Sequence, residues 1–255
     1  MSSTKSSESA LKTLIESGEF LNKFNLDRKT YGLVFDKRTL IAVYEVIKKY
    51  NIDMFDFPIS SGKESVVFRV LSNRRPLVIK IYKMSTLKFS NTSDYILGDY
   101  RFEREKLNRV NIVYIWARKE YTNLSEMMSA GVSVPRPLGF YKNVLLMSYI
   151  GTKKSPAPQL RYVDNADFND IFDAVLDNMK KMYRNAGLVH ADLSDYNILY
   201  YRRKIYIIDT GQSVSIKHPM AHDFLKRDVN NICSFFSRKG IKKDPDIIFK
   251  SIVDG

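Results

Sequence analysis

Apolar positions near the start of the chain repeat with the spacing of helices. Residues 10–26 carry such a pattern, and a stronger one follows Asp36, which has the residue type of a helix N-cap. From Ile59 the pattern changes to β-forming runs, with a turn at 60–62 and a strand over 77–82. The first part of the chain therefore predicts two helices followed by a β-hairpin.

Later in the chain, helical patterns and short apolar runs alternate. Helices are predicted over 116–130 and 170–186. Short runs of β-forming residues predict strands over 144–149, 198–201 and 205–208. A basic turn separates the last two strands, which would pair as a hairpin.

This order of elements predicts an α+β fold in which a β-rich lobe precedes a mainly helical lobe. We assign residues 1–50 to an N-terminal tail and helices that pack on the core, 51–150 to the first lobe and 151–255 to the second. The hinge would lie near residue 150. Residues 83–100 are polar and weakly periodic, which predicts a mobile loop that is open to proteolysis.

Composition narrows the class of protein. The 255 residues are 44% apolar and 27% charged, as in ordinary globular domains, and the apolar runs are too short to span a membrane. The N-terminus lacks the basic and apolar regions of a secretory signal. The single cysteine, Cys233, cannot form an internal disulfide and lies in an apolar run, so we expect it to be buried. These features predict a cytoplasmic protein without a membrane anchor.

The formal net charge is +13, which is large for this length and favours contact with a polyanion, nucleic acid above all. Lysine and arginine are spread along the whole chain, and no RNA-binding motif is present. We therefore predict contact with RNA that has little sequence preference. The alternative is a basic surface that is merely solvated.

The strongest chemical signal is the run from His190 to Asn197, His-Ala-Asp-Leu-Ser-Asp-Tyr-Asn, followed twelve positions later by Asp209. Phosphoryl transfer needs a carboxylate that orients or accepts the proton of the attacking group, and we assign this role to Asp192. Mg²⁺ prefers oxygen ligands, which Asn197 and Asp209 would supply from the two ends of the predicted hairpin. His190 is predicted to hold the loop. The pattern predicts an ATP-dependent phosphotransferase.

A lysine inside an apolar strand is the second signal. Lys80 would contact the α- and β-phosphates of ATP and be oriented by a glutamate on a helix. Glu120, in the predicted helix over 116–130, is our choice for this partner, with Glu103 and Glu105 as competitors.

The candidate phosphate-binding turn, Ser61-Gly62-Lys63, lies one hairpin before the lysine strand. It has one glycine where a G-x-G-x-x-G loop has three, and it does not match the Walker A motif. Hydroxyl and backbone N–H groups of such a turn can nevertheless bind phosphate.

These residues resemble the RIO-type atypical serine/threonine kinases and, within them, the type-1 branch. The resemblance covers about residues 33–238 and rests on a series of short motifs. The motifs are Ser61-Gly62-Lys63-Glu64, Ile79-Lys80-Ile81-Tyr82-Lys83, Gly98 to Phe102, Trp116-Ala117-Arg118-Lys119-Glu120, Met147-Ser148-Tyr149-Ile150-Gly151, Leu188-Val189-His190-Ala191-Asp192-Leu193-Ser194, Ile207-Ile208-Asp209, Gln212-Ser213-Val214 and His218-Pro219.

The resemblance implies a trimmed kinase fold, and no A-P-E motif follows Asp209 here. It implies ATP and Mg²⁺ as cofactors, with Mn²⁺ as an alternative metal. It also implies that Glu120 is the partner of the strand lysine, and that backbone groups around Met147, Ser148 and Ile150 meet the adenine.

For the cellular role, the resemblance implies late maturation of the small ribosomal subunit. ATP turnover would drive release or remodelling on a precursor of that subunit, whose rRNA suits the basic charge of the chain. Some family members are thought to pass through an aspartyl phosphate, which here would form on Asp209. Eukaryotic members of this branch usually carry long, charged tails after the core, so the resemblance implies an archaeal member here.

Two other functions fit part of the pattern. A small-molecule kinase of the aminoglycoside or choline type shares the H-x-D-x-x-x-x-N frame, although such enzymes usually carry extra acidic residues for a cationic substrate. The other is a non-catalytic RNA-binding scaffold that keeps a nucleotide pocket.

The polar loop over 83–100 would lie within reach of the active cleft of a kinase. Its hydroxyl groups therefore predict autophosphorylation, with these candidate sites: Ser85, Thr86, Ser90, Thr92 and Ser93.

Overall fold

A computed structural model describes residues 36–84, 94–105, 108 and 110–254. The helix predicted over 10–26 and the candidate phosphorylation sites between 85 and 93 lie outside these residues. The chain divides into two compact units. The first draws its described residues from Met1–Leu87, Asn108–Arg118 and Leu138–Tyr149, and the second from Lys88–Leu107, Lys119–Pro137 and Ile150–Gly255.

The first unit contains a five-stranded sheet with the strand order β1-β2-β3-β5-β4. Neighbouring strands β1 and β2, β2 and β3, and β3 and β5 pair antiparallel. A helix, α1, precedes the sheet. The bounds are α1 Lys37–Tyr50, β1 Ile52–Ser61, β2 Ser65–Ser72, β3 Arg75–Tyr82, β4 Pro137–Tyr141 and β5 Val144–Ser148.

Helix α1 begins where the sequence predicts. The side chain of Asp36 accepts a hydrogen bond from the Thr39 backbone N–H at 2.8 Å, which confirms the N-cap. The helix ends at Asn51, whose left-handed backbone (φ 48°) stops further helical turns. Its buried face, including Val43 and Val46, shares one apolar cluster with side chains of the sheet.

Two boundaries in the sheet differ from the prediction. Strand β1 starts at Ile52 instead of Ile59 and continues through Ser61, because three register irregularities and a proline interrupt its alternation of apolar and polar residues. Strand β3 starts at Arg75, two residues before the predicted 77, because the turn before it is formed by Asn73 and Arg74, whose positive φ angles suit a two-residue hairpin turn.

Helix α2, Asn111–Ser129, starts five residues before the predicted Trp116. The side chain of Asn108 accepts hydrogen bonds from the backbone N–H groups of Val110 and Asn111, at 3.0 and 2.9 Å, and so caps the first turn. Nearly every residue from 112 to 120 is buried, so this part of the helix lacks the polar face by which sequence patterns are recognised.

The second unit is mainly helical, in agreement with the predicted α+β fold. Helix α3, Phe168–Arg184, begins two residues earlier than predicted, because Asp167 caps the N–H groups of Asn169 and Asp170. Phenylalanine rings of α3 pack edge to face against Phe236 of the helix over Ala221–Arg238, and Cys233 of the same helix is buried as predicted. The other bounds are β6 Leu188–Val189, β7 Ile198–Tyr201, β8 Lys204–Ile207, β9 Val214–Ser215, α4 Ala221–Arg238 and α5 Pro245–Val253.

Part of the segment predicted as a mobile loop forms packed turns. Residues 94–104 make successive turns in which Ile96, Asp99 and Phe102 are buried. The Nε2 atom of His218 lies 3.0 Å from the Leu97 carbonyl oxygen, which ties these turns to the second unit. Among the described residues, no helix is long and apolar enough to cross a bilayer.

Candidate active site

The hairpin β7–β8 brings two of the predicted site residues together. Ile198 pairs with Ile207, and the Ile208 backbone N–H donates to the Asn197 carbonyl oxygen at 2.9 Å. Asn197 precedes one strand and Asp209 follows the other by two residues. Both therefore lie at the open end of the hairpin, as their spacing predicts.

The side chain of Asn197 connects this end of the hairpin to Asp192. Its Nδ2 atom donates to the Asp192 carbonyl oxygen at 2.8 Å and lies 3.3 Å from the Asp192 carboxylate oxygen Oδ2. Its backbone N–H donates to the Ser194 carbonyl oxygen at 3.0 Å, which closes the loop. Asp192 and Asp209 are both exposed. The second unit thus gathers Asp192, Asn197 and Asp209 in one place, and the roles assigned to them stay predictions.

These oxygen atoms suit a magnesium ion. Because the Nδ2 atom of Asn197 is directed to Asp192, its Oδ1 oxygen is the atom left to ligate a cation, beside the carboxylate of Asp209. Within the described part of the chain, no group of three His, Cys, Asp or Glu side chains could hold a metal by itself. An amide and one carboxylate match Mg²⁺ sites that complete their coordination with water and substrate phosphates.

Two residues beside the candidate centre, Ala191 and Asp209, have strained backbone conformations. Ala191 has φ 67°, and Asp209 has φ 63° and ψ 50°, in the left-handed region that side chains with a Cβ disfavour. Each such residue costs roughly 1–2 kcal/mol. Other contacts must therefore hold the loop in this shape.

Asp228 is one such contact, and the sequence motifs do not point to it. Its carboxylate, on helix α4, accepts hydrogen bonds from the backbone N–H groups of Ala191 and Leu193, both at 2.8 Å, one on either side of Asp192. Burial raises the pKa of Asp228 to about 7, against the opposing effect of these two hydrogen bonds. In the sequence, the one sign of this role is that Asp228 lies next to Val229 on the apolar face of an amphipathic helix, where a carboxylate needs a partner.

Further contacts to the loop come from the same helix and from the loop itself. Arg227 donates to the Ala191 carbonyl oxygen, and Asn231 donates to the Leu193 carbonyl oxygen at 3.1 Å. The His190 ring is 1% exposed, and its Nε2 atom lies 3.1 Å from the Ile208 carbonyl oxygen, just before Asp209. The predicted structural role of His190 is confirmed.

Lys80 lies in the first unit, at the centre of strand β3, paired with Val67 on one side and Leu145 on the other. It is 5% exposed, which is unusual for a lysine and fits a residue with a dedicated partner. Glu120 is 1% exposed and lies on α2, as predicted, whereas the competitors Glu103 and Glu105 lie outside any helix. Since Lys80 and Glu120 belong to different units, the ion pair between them stays a prediction.

The candidate phosphate-binding turn is the tight connection between β1 and β2. The Gly62 N–H donates to the Ser65 carbonyl oxygen at 2.9 Å, and the neighbouring Ser61 and Lys63 are exposed. Lys83, directly after β3, donates from its backbone N–H to the Glu64 carbonyl oxygen at 2.8 Å and from Nζ to the Gly62 carbonyl oxygen at 2.7 Å. The sequence motifs assign no role to Lys83, although its side chain fastens this turn.

The predicted hinge begins at the end of strand β5. Met147 and Ser148 close this strand, and the division between the two units falls after Tyr149. The Ile150 carbonyl oxygen accepts a hydrogen bond from the Ala157 N–H at 3.0 Å. The contact of this segment with adenine stays a prediction.

Comparison with known proteins identifies the family. The RIO domain model, RIO1, matches residues 66–248. The RIO-type serine/threonine-protein kinase Rio1 of Thermoplasma acidophilum is 51% identical over 183 residues, which cover 72% of this chain and 96% of that relative. The chain belongs to the RIO-type serine/threonine kinases. The resemblance to the type-1 branch is thereby confirmed.

More distant RIO kinases are also similar. Rio1 of Methanocaldococcus jannaschii is 37% identical over 230 residues, covering 90% of this chain and 79% of that relative. The human serine/threonine-protein kinase RIO1 is 37% identical over 224 residues, covering 86% of this chain but 39% of the human protein. The chain therefore spans most of the archaeal relatives and less than half of the human one.

Solved structures show the fold. The Rio2 kinase of Chaetomium thermophilum, in an ADP/Mg²⁺-phosphoaspartate complex, gives a TM-score of 0.67 at 21% identity, covering 86% of this chain and 66% of that chain. A second structure of this kinase gives a TM-score of 0.62 at 24% identity, covering 84% and 66%. At these identities the likeness supports the architecture alone, and the predicted kinase-like α+β fold is confirmed.

Proposed function

We propose that this RIO-type kinase transfers the γ-phosphate of ATP at the centre formed by Asp192, Asn197 and Asp209. The observation that carries the proposal is the position of Asn197, whose amide Nδ2 bonds Asp192 while its backbone oxygen bonds the residue before Asp209. Membership of the family supports the use of ATP. The solved Rio2 kinase that binds ADP and Mg²⁺ supports the same cofactors here.

In the proposed reaction, Asp192 orients the acceptor hydroxyl and accepts its proton. The hydroxyl oxygen forms a bond to the γ-phosphorus as the bond to the β,γ-bridging oxygen breaks, and ADP leaves. Mg²⁺, or Mn²⁺ with the same oxygen preference, would be held by Asn197 and Asp209 and would neutralise phosphate charge. With water as the acceptor, the same steps amount to ATP hydrolysis.

Asp209 is also our candidate for a phosphorylated aspartate. The Rio2 kinase was solved as a phosphoaspartate complex, which supports an acyl phosphate in this family. A carboxylate oxygen of Asp209 would attack the γ-phosphorus, ADP would leave, and water would later release phosphate and regenerate the carboxylate. The hydroxyl groups at Ser85, Thr86, Ser90, Thr92 and Ser93 are the proposed sites of stable autophosphorylation.

Incubation with γ-labelled ATP and Mg²⁺ tests these assignments directly. We expect label on the protein in two forms, a hydroxylamine-sensitive acyl phosphate on Asp209 and a stable phosphate between residues 85 and 93. Stable label found only elsewhere would exclude the proposed hydroxyl sites. ATP that binds but is neither hydrolysed nor transferred would mean that the chain is a scaffold.

We further propose that the chain acts in the cytoplasm on precursors of the small ribosomal subunit. The family resemblance and the formal charge of +13 support this partner. Each neutralised RNA phosphate releases counterions, so a contact with about five phosphates predicts a log–log slope of binding against salt near −4. Salt titration with purified precursors measures it, and a flat response would direct the search to protein partners.

A further inference from the structure

Two buried polar side chains of helix α2 hold the loop that follows Asp209. Lys119 and Asn123 are both 0% exposed and are spaced four residues apart, so they lie on one face of the helix. The Nδ2 atom of Asn123 donates to the carbonyl oxygens of Thr210 and Ser213, at 2.7 and 3.0 Å. The Nζ atom of Lys119 donates to the carbonyl oxygens of Gly211, at 3.2 Å, and Ser213.

These contacts supply hydrogen bonds to carbonyl oxygens of the loop that follows Asp209. Residues 210–212 form a single 3₁₀ turn, closed by one backbone bond from the Ser213 N–H to the Thr210 carbonyl oxygen at 3.1 Å. Asp209, directly before it, has a left-handed backbone. Helix α2 thus supplies donors to three carbonyl groups of the loop and holds the backbone that directly follows Asp209.

Charged side chains around Lys119 hold it in place. Its Nζ atom lies 4.0 Å from an Asp99 carboxylate oxygen, and both side chains are wholly buried. Arg101 donates to both oxygens of Asp99, at 2.9 and 2.7 Å, and to Glu126 at 2.5 Å. The cluster contains two cations and two anions, so its formal charges balance.

Burial of the Lys119 charge is costly. Burial lowers the pKa of Lys119 to about 7, although Asp99 opposes the shift. Buried charge clusters can often be replaced by apolar residues without loss of stability. The contacts of Lys119 with the loop carbonyl groups therefore explain the cluster better than a contribution to the stability of the core does.

We propose that Lys119 and Asn123 are positioning residues for Asp209, and that the turn containing Asp99 and Arg101 supports them. They act through the backbone of residues 210–213 and contact neither substrate nor metal. The inference rests on the proposed role of Asp209 as a ligand of Mg²⁺. Helix α2 would then have two roles. It carries Glu120, the predicted partner of Lys80, and it supports the proposed metal-binding loop.

The test compares Asn123→Leu with a matched control, Asn143→Leu. Asn143 lies in the first unit and is also 0% exposed. Its Nδ2 atom also donates two hydrogen bonds, to the Thr39 hydroxyl oxygen at 2.9 Å and to the Tyr82 carbonyl oxygen at 2.8 Å. In neither asparagine does Oδ1 accept a hydrogen bond from the described residues. Lys119→Met, which keeps an unbranched apolar stem of similar length, is the second test variant and carries the comparison if Asn123→Leu fails to fold.

Two readouts separate positioning from general loss of stability. The Mg²⁺ concentration that gives half-maximal turnover should rise about 10-fold in Asn123→Leu and Lys119→Met, as outer-shell substitutions typically do. In samples that contain no nucleotide, amide hydrogen exchange in a peptide covering 209–215 should also be faster in these two variants than in the wild type. Asn143→Leu should lose comparable thermal stability and change neither value.

Each contrary result has a distinct meaning. Equal shifts in the Mg²⁺ requirement for Asn123→Leu and Asn143→Leu would overturn the proposal, as would unchanged exchange and Mg²⁺ requirement in both test variants. If Asp209→Ala left the Mg²⁺ requirement of residual turnover unchanged, the metal role of Asp209 would fail instead. Exchange in 209–215 would then decide whether α2 holds the loop.

Discussion

The turn between β1 and β2 and the loop after Asp209 are both candidate parts of the active site, but different contacts hold them. The turn is fixed by backbone hydrogen bonds of a hairpin and by one partly exposed lysine, Lys83. The loop is fixed by wholly buried side chains, Lys119 and Asn123, while Asp228 fixes the neighbouring loop around Asp192.

The difference predicts that the two regions respond differently to substitution. Hairpin hydrogen bonds need only the correct register, so a turn with the single glycine Gly62 can take the place of a loop with three. The two loops at Ala191 and Asp209 each contain a left-handed residue and need specific donors and acceptors around them. We therefore expect substitutions in the second region to affect turnover far more than substitutions in the first.

The largest effect is expected for Asp209→Ala. Loss of a principal electrostatic group should lower the rate of ADP formation by about 10³-fold or more. Asp195→Ala is the control, since Asp195 is a carboxylate of the same catalytic loop with no assigned role. Near-normal turnover in Asp209→Ala would remove the metal assignment.

Asp192→Ala should act on turnover and leave binding of ATP largely intact. The contribution of a proton acceptor belongs to the transition state, so kcat should fall by about 10²-fold or more while the Kd for ATP changes little. Calorimetry of ATP binding and single-turnover rates measure the two quantities separately. If binding collapsed while residual turnover stayed high, the roles of Asp192 and Asp209 would have to be exchanged.

Asp228→Asn should weaken the catalytic loop without touching the substrate. The amide can accept a hydrogen bond from only one of the N–H groups of Ala191 and Leu193, and the loss of about 1.4 kcal/mol would lower turnover roughly 10-fold. The rate of ADP formation measures this effect.

The pH dependence of folding gives a second test of Asp228. Because burial raises its pKa from the ordinary 3.8 to about 7, the folded protein holds a proton that the unfolded chain releases. The stability of the wild type should therefore fall as pH rises from about 4 to 7, by up to about 1.4 kcal/mol per pH unit, and level off above. Denaturant unfolding of Asp228→Asn should lack this component, and parallel profiles in the two proteins would contradict the assignment.

The smallest effect is expected at the phosphate turn. Lys83→Met removes one partly exposed hydrogen bond to Gly62, worth about 0.5–1 kcal/mol, so the KM for ATP should rise by about 2- to 5-fold with kcat unchanged. Lys142→Met, on the turn between β4 and β5, is the matched control. A loss of turnover as large as that of Asp192→Ala would show that the two regions do not differ as described.

Sequence reasoning worked best where a residue is tied to its neighbours along the chain. The spacing from Asn197 to Asp209 equals one hairpin, so their proximity follows from strand pairing alone. The residues that support them come from distant elements. Asp228 lies 31 residues after Asn197 and Lys119 lies 90 residues before Asp209, so no local pattern could connect them to the site.

Boundaries failed where burial removed the expected pattern. The first turns of α2 are buried on nearly all sides, so its start at Asn111 had no amphipathic signal. In β1, bulges and Pro58 interrupted the alternation that identifies a strand. The segment 83–100 reads as polar when taken as a whole, but Ile96 is buried and Asp99 is buried with its bonds to Arg101, which composition does not show.

The central claim, that Asp192 and Asp209 act in one centre, is tested most directly by the double variant. Residues that act as a unit give losses that do not multiply. Single-turnover release of γ-phosphate should therefore be no more than about 10-fold slower in Asp192→Ala/Asp209→Ala than in the slower single variant. Losses that multiply in full would show that the two carboxylates act independently and would contradict a shared centre.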